Sequence, residues 1–359
     1  MARLRQGDRP FRDSDGAWVV SRFDEARAIL LDAARFSSRD EAGGFPLLRD
    51  DPPRHTALRG LLQKAFTPGR IEAMRPEIET IARDLVAAIT PGETTDIVTA
   101  ITSPLPVIVI ARMLGVAEGD REQFRAWSNR FAGAGAAEGV DTVQMQALLE
   151  MSQYLGVELA KRRVQPGEDL ISALARAEEA GVTLSDDEII SLSVLLLVAG
   201  NETTTNLFSN TMNRLAAHPE EWRALRENPV LIDGAVEEIL RADSPVQFTV
   251  RTATVDLDVG GAAIKAGETV FVYLAAANRD PARWPDPEAL DIRRERGRQL
   301  AFGLGVHHCI GAPLARLETQ AGLAALLARF GSLRFAEGER PRTTTALLRG
   351  FQQLPLVLG

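Results

Sequence analysis

Phe302-Gly303-Leu304-Gly305-Val306-His307-His308-Cys309-Ile310-Gly311 holds the only cysteine of the chain, and its reading decides the fold. Gly303, Gly305 and Gly311 permit backbone conformations and close approaches that a Cβ forbids. With an aromatic ring at Phe302 and an imidazole at His307, such a loop suits the presentation of one sulfur to a large flat cofactor. Ala312-Pro313-Leu314-Ala315-Arg316-Leu317-Glu318 then starts a helix, with Pro313 tolerated in its first turn. A thiolate at a helix N-terminus receives backbone N–H groups and the positive end of the dipole.

The bland reading of a lone cysteine is a small buried hydrophobe, and the flanking pattern argues against it. Zinc fits poorly, because three consecutive residues, His307, His308 and Cys309, hardly converge on one tetrahedral ion and no second ligand cluster closes the site. A dinucleotide loop G-x-G-x-x-G fails because His308 stands where the third glycine belongs. Haem iron with an axial thiolate fits the pattern best.

F-x-x-G-x-x-x-C-x-G resembles the haem-binding signature of the cytochrome P-450 monooxygenases, soluble bacterial type. The resemblance runs from about Asp15 to the C-terminus, through several further motifs. Soluble members usually carry an additional N-terminal segment, which the resemblance implies is absent or trimmed here.

The rest of the composition is compatible with that class. A chain of 359 residues buries a large core, and its formal charge of −8 comes from both signs spread along the sequence. Neither a nucleic-acid footprint nor an acidic tail appears. One cysteine excludes an internal disulfide framework and suits a reducing compartment. The start, Met1 to Arg9, is polar, and apolar runs such as Val194 to Ala199 are far too short to span a bilayer. A cytoplasmic protein that binds neither membrane nor nucleic acid is expected, as a monomer.

Periodicity gives the outline. Phe11 to Ser21 reads as a hairpin turning at Asp15-Gly16, and Asp24 to Leu31 as a short helix. Helices are expected from Asp51 to about Phe66 and from Arg70 to Ile89, with Pro68-Gly69 separating them. Others follow near 99–115, 120–133, 140–163 and 168–180. Ser185-Asp186-Asp187-Glu188 is a capping box for a long helix reaching about Ala217, and Pro219 and Pro229 start two more. From Phe248 to Tyr273 the period changes to two. Asn278 to Leu300 reads as irregular ordered coil, and a short β region ends the chain. No linker or repeat interrupts this pattern, so residues 1–359 are expected to form one mainly α (α+β) domain with small sheets. The resemblance sharpens this to a cytochrome P-450-like helical fold, with haem between the long central helix and the helix after Cys309.

That long helix contains a local inconsistency, Ala199-Gly200-Asn201-Glu202-Thr203-Thr204-Thr205, where glycine, asparagine and threonine interrupt an apolar run. Such conflicts mark functional sites. The segment resembles the family's A-G-x-(D/E)-T, in which the helix bulges to make room for dioxygen. The match implies that Thr203 hydrogen-bonds bound dioxygen and a relayed water, that Glu202 belongs to the proton path, and that Ala199 and Gly200 leave space. The bland alternative has the Thr203 hydroxyl on a carbonyl one turn back and Glu202 in solvent.

Glu238-Ile239-Leu240-Arg241 resembles the family's E-x-x-R, a structural ion pair closed by an arginine of the downstream coil, Arg294 first and Arg293 as fallback. His55 and Arg59, one helical turn apart, match H-x-x-x-R. The resemblance makes these two, with Arg251 and His307, partners of the haem propionates. It places substrate against Phe45, Leu47, Leu48, Leu195, Val198, Val246, Gln247, Phe248 and Phe351, a largely apolar set suited to a hydrophobic small molecule. No flavin, nicotinamide or iron–sulfur motif is present. Electrons from NAD(P)H are therefore expected through a ferredoxin and its reductase, docking on Arg54, Lys64, Arg70, Arg296 and Arg316. The expected reaction is hydroxylation or epoxidation on haem b (iron protoporphyrin IX). Two rivals stand beside it: a haem-thiolate enzyme that uses peroxide or performs coupling, and a non-catalytic haem-bearing recruiting module.

Overall fold

The computed structural model describes residues 4, 9–39, 45–133, 142–179, 182–295 and 297–359. Asp13 to Gly16 makes the first turn, Gly16 adopting φ 83°, and joins β1 (Phe11–Arg12) to β2 (Trp18–Val20) in the expected antiparallel hairpin. Then come α1 (Phe23–Leu31), β3 (Phe36–Ser37) and α2 (Arg54–Gln63). The break between the first two expected helices falls at residues 64–67, just before Pro68-Gly69. Pro68 itself opens α3 (Pro68–Ala73), whose N-cap Thr67 accepts a bond from the Arg70 N–H, and a second break falls at Met74, before Pro76 in the first turn of α4 (Arg75–Ala87). A proline in the first turn lacks only an N–H that the helix leaves unused, so each proline starts a helix here.

β4 (Thr94–Asp96) leads through a π-helical turn, Val98–Thr102, into α5 (Pro104–Met113), α6 (Arg121–Gly133) and α7 (Thr142–Val164). Residues 140–141, where the sequence placed the start of α7, lie outside the described residues. α8 (Leu170–Arg176) ends four residues earlier than expected, and the two-residue strands β5 (Glu178–Glu179) and β6 (Val182–Thr183) occupy the remainder. The capping box forms as read: Ser185 Oγ accepts from the Glu188 N–H and the Glu188 carboxylate accepts from the Ser185 N–H, opening α9 (Asp186–Ala217). α10 (Pro219–Glu227) and α11 (Ile232–Ala242) follow.

The period-two region yields β7 (Thr249–Ala253), the hairpin β8 (Leu257–Val259) and β9 (Ala262–Ile264), and β10 (Thr269–Val272), which runs into α12 (Leu274–Ala277). After the coil and the thiol loop come α13 (Ala312–Arg329), β11 (Leu333–Phe335) and β12 (Pro355–Leu358). Strands β1-β2-β10-β7-β3 form one sheet, with β2 and β10 parallel and the other pairs antiparallel, and β11-β12-β4 form a second. The fold is thus mostly helical with small sheets.

α9 packs against α5, α6, α7, α11 and α13. Its middle is buried on nearly all sides, with Leu192, Leu197 and Met212 at 0 % exposure, which is what its all-round apolar sequence requires. A second apolar cluster of Val20, Ile29, Leu30, Val270, Val272 and Leu304 fastens the larger sheet to the thiol loop. Among the described residues no helix is long and apolar enough to cross a membrane.

Candidate active site

Cys309 stands three residues before α13. Its N–H donates to the Phe302 carbonyl (2.9 Å), and the loop is closed by Gly303 N–H to Leu300 O (2.8 Å) and His308 N–H to Gly305 O (3.1 Å). Gly303 and Gly305 take φ of 66° and 70°. At Gly305 a Cβ would also lie 2.4 Å from the Leu30 carbonyl oxygen at the end of α1, so glycine is demanded twice over. The sulfur lies deep in the fold, and its exposed surface opens on an internal cavity. Burial pushes the thiol up, while N–H groups of Gly311 and Ala312 and the guanidinium groups of Arg59 and Arg316 pull it down.

That cavity has a volume of about 220 Å³. One wall is the loop and the start of α13, with Phe302, His307, Cys309 and Gly311; His55 and Arg59 of α2 form its edge. Leu195, Ala199, Gly200 and Thr203 of α9 face the sulfur side, and Leu47 and Leu48 complete the apolar lining. α9 passes through this region as an unbroken α-helix, without the expected bulge. The Thr203 hydroxyl donates to Ala199 O (2.6 Å), which satisfies it within the helix. Glu202 stands beside the cavity wall rather than on it. Burial lifts its carboxyl to about 7.

Two imidazoles meet at the cavity edge, His55 and His307, with ring centroids 4.2 Å apart. Both ring nitrogens of His55 and Nε2 of His307 are buried without a hydrogen-bond partner. Burial lowers both pKa values, that of His307 to about 4, and Arg59 and Arg251 add to the effect. Arg251 is 7 % exposed, held down to about 10 by burial, and its guanidinium donates to Thr249 Oγ1 and the Val250 carbonyl. Buried polar atoms left unpaired are costly. Three orphaned nitrogens beside two partly desolvated guanidinium groups fit an anionic carboxylate, and a bare sulfur on the adjoining wall fits an iron ligand. Together they suit haem b.

Glu238 and Arg241, 4 % and 2 % exposed, form a two-pronged pair at 2.7 and 2.8 Å. Arg294 Nε joins Glu238 at 3.2 Å, whereas Arg293 pairs with Glu221. Arg241 also donates to the carbonyls of Asn278, Pro287 and Ala289, tying α11 to the coil before the thiol loop.

Not every residue expected in the site lines the cavity itself. Arg251, Gly303 and Gly305 do not line the cavity, nor do Phe45, Val198, Val246, Gln247, Phe248 and Phe351. Phe351 is buried beneath Arg342 (4.1 Å) and Phe248 packs on Phe271 and Tyr273. Gln247 donates to Ser244 O and lines a separate polar pocket with Asp243, Arg279 and Arg349. Of the docking arginines, Arg54 is paired with Asp50 and Glu188, Arg316 with Glu237, and Arg296 lies outside the described residues. Sequence reasoning missed Phe66, Pro106, Ile110, Leu196 and Leu314 of the lining, and Glu318. Glu318 is 2 % exposed, and burial raises its pKa well above the ordinary value. The available signal was its place four residues after Leu314 on the buried face of α13.

Fold and site fit a haem group with a cysteine ligand, and comparison with known proteins gives the family. The family profile "Cytochrome P450" matches residues 150–355, and this chain belongs to that family. It is 42 % identical to the cytochrome P450 monooxygenase PikC of Streptomyces venezuelae, over 96 % of this chain and 86 % of that one. It is 39 % identical to the mycinamicin IV hydroxylase/epoxidase of Micromonospora griseorubida, over 95 % and 89 %. The solved structure of cytochrome P450 CYP109Q5 from Chondromyces apiculatus superposes with a TM-score of 0.92 at 38 % identity, covering 99 % of this chain and 94 % of that one. Membership carries haem binding and oxidoreductase chemistry with it.

Proposed function

We propose that this chain inserts one oxygen atom of O2 into a hydrophobic small organic molecule, by hydroxylation or epoxidation. The observation that carries the reading is the position of Cys309 at the start of α13, across one cavity from the Ala199–Thr203 turn of α9. Haem b, bound there, would supply the centre at which O2 is split with two electrons and two protons, one oxygen atom passing to the substrate and the other leaving as water. Cys309 holds the iron as thiolate, stabilised by the Gly311 and Ala312 N–H groups. His55, Arg59, Arg251 and His307 hold the propionates; charge-assisted bonds of this kind are about twice as strong as neutral ones.

Gly200 leaves room over the site, because a Cβ there meets nothing within 4 Å. Thr203 trades its bond to Ala199 O for one toward dioxygen and a relayed water. Glu202, with a pKa of about 7, is poised to give or take a proton near neutrality. Leu47, Leu48, Leu195 and Leu196 exclude water and select an apolar substrate. Electrons arrive from NAD(P)H by way of a ferredoxin and its reductase. The two relatives named as monooxygenase and hydroxylase/epoxidase support the reaction class.

Candidate compounds are screened by the low-to-high-spin shift of the Soret band, and the best ligand is turned over under labelled dioxygen with ferredoxin and reductase. One labelled oxygen atom in the product is expected. Label from water, or turnover driven by peroxide alone, contradicts it. Thr203→Ala should keep the Soret spectrum and send more reducing equivalents to hydrogen peroxide; an unchanged peroxide yield removes Thr203 from the mechanism.

A further inference from the structure

The turn of α9 carries a polar residue to which the reading above gives no task. Asn201 sits between Gly200 and Glu202, and an asparagine in a helix interior costs propensity. It is 3 % exposed. Its amide nitrogen donates to Ser128 Oγ on α6, itself 3 % exposed, and its amide oxygen accepts from Thr205 Oγ1 at 3.3 Å. Deleting either member of the Asn201–Ser128 pair leaves the other buried and unsatisfied.

The cavity side of the same turn offers little support. Gly200 has open space beside it, the Thr203 hydroxyl is bonded within the helix, and the Glu202 carboxyl has no hydrogen bond among the described residues. The turn is therefore tethered from behind, to α6. α6 in turn is braced on α7. Trp127 Nε1 donates to Glu150 at 2.6 Å and Arg130 pairs with the same carboxylate, while Tyr154 packs on Phe124 and Trp127 at 5.0 and 5.7 Å. Ser128 is thus presented by a pair of helices rather than by a free-standing one.

We propose that Asn201 is a positioning residue, whose bond to Ser128 fixes where α9 holds Glu202 and Thr203, so that displacement of α6 is passed to the proton-handling turn. The consequence for turnover rests on the monooxygenase reading; the tether itself does not.

Variants of the haem-loaded protein test it. Asn201→Leu removes the amide at similar volume, Ser128→Ala removes its acceptor from the other helix without adding bulk, and Ser128→Thr keeps the hydroxyl. Hydrogen–deuterium exchange over residues 199–205 is read first, in resting protein. Exchange should rise about fivefold in the first two, the ratio that loss of one net hydrogen bond converts to. The double variant should rise no further, because the two changes break one contact, and Ser128→Thr should match wild type. Under turnover the loosened variants should send a larger share of electrons to peroxide.

Wild-type exchange in both Asn201→Leu and Ser128→Ala, additive effects in the double variant, or faster exchange with an unchanged peroxide share each overturns the proposal. If Asn201→Leu fails to fold, Ser128→Ala against Ser128→Thr decides the question alone. A wild-type protein lacking a thiolate-type spectrum with carbon monoxide overturns the monooxygenase reading instead, and leaves the exchange result standing.

Discussion

Glu202 is half-buried beside the cavity, and desolvation alone lifts its carboxyl to about 7. A folded-state pKa above the unfolded value of 4.5 means that the folded chain holds its proton longer. Stability from this group is intact at low pH and is lost as pH rises from about 4.5 through 7. Glu202→Gln should remove that loss, so the difference in thermal midpoint between variant and wild type should grow in the variant's favour across this window. A constant difference contradicts the desolvated carboxyl. At this scale sequence reading found residues whose type conflicts with their setting: a lone thiol among glycines, a polar break in an apolar helix, histidines at telling spacings. It failed where type is uninformative. An apolar side chain such as Phe248 or Leu314 reads alike whether it fills core or lines a cavity, and only the packing separates the two. Glu318 conflicts with its setting too, but a glutamate in a helix is common enough to pass unnoticed.

α1, the thiol loop and α13 depend on one another through a single close approach. The Gly305 backbone lies against the end of α1, where a Cβ would sit 2.4 Å from the Leu30 carbonyl oxygen. Gly305→Ala adds that clash to the left-handed penalty of roughly 1–2 kcal/mol for a residue with a Cβ. The variant should lose at least that much unfolding free energy, melt at a lower temperature and retain haem less well. A variant as stable and as haem-loaded as wild type contradicts the geometry. Element types were legible because their periods are strong, and the capping box of α9 fixed its start to the residue. Boundaries were less so. Prolines read as breaks at Pro68 open a helix in the structure, because one residue both ends and begins helices according to which neighbours cap it.

Across the molecule, Glu238, Arg241 and Arg294 fasten α11 to the coil that delivers the thiol loop, and Asn278 continues the link by accepting the Leu300 N–H at 2.6 Å. Removing one partner of a buried ion pair leaves an uncompensated charge and costs about 3–5 kcal/mol. Arg241→Ala should lose that much in urea unfolding and release haem; a loss below about 1 kcal/mol, the size of an exposed pair, contradicts a role in holding the loop. The path from this network to the sulfur was legible only through the family resemblance, since E-x-x-R pairs also decorate ordinary exposed helices.

The proposed chemistry depends on the sulfur of Cys309 binding the iron of a porphyrin. The direct measurement is the absorption spectrum of the purified, reduced protein under carbon monoxide, for wild type and Cys309→Ala. A Soret band at the long wavelength of thiolate ligation, present in wild type and lost in the variant, is the predicted result. A colourless wild-type protein, or a band at the shorter wavelength of imidazole ligation that survives the substitution, would contradict it.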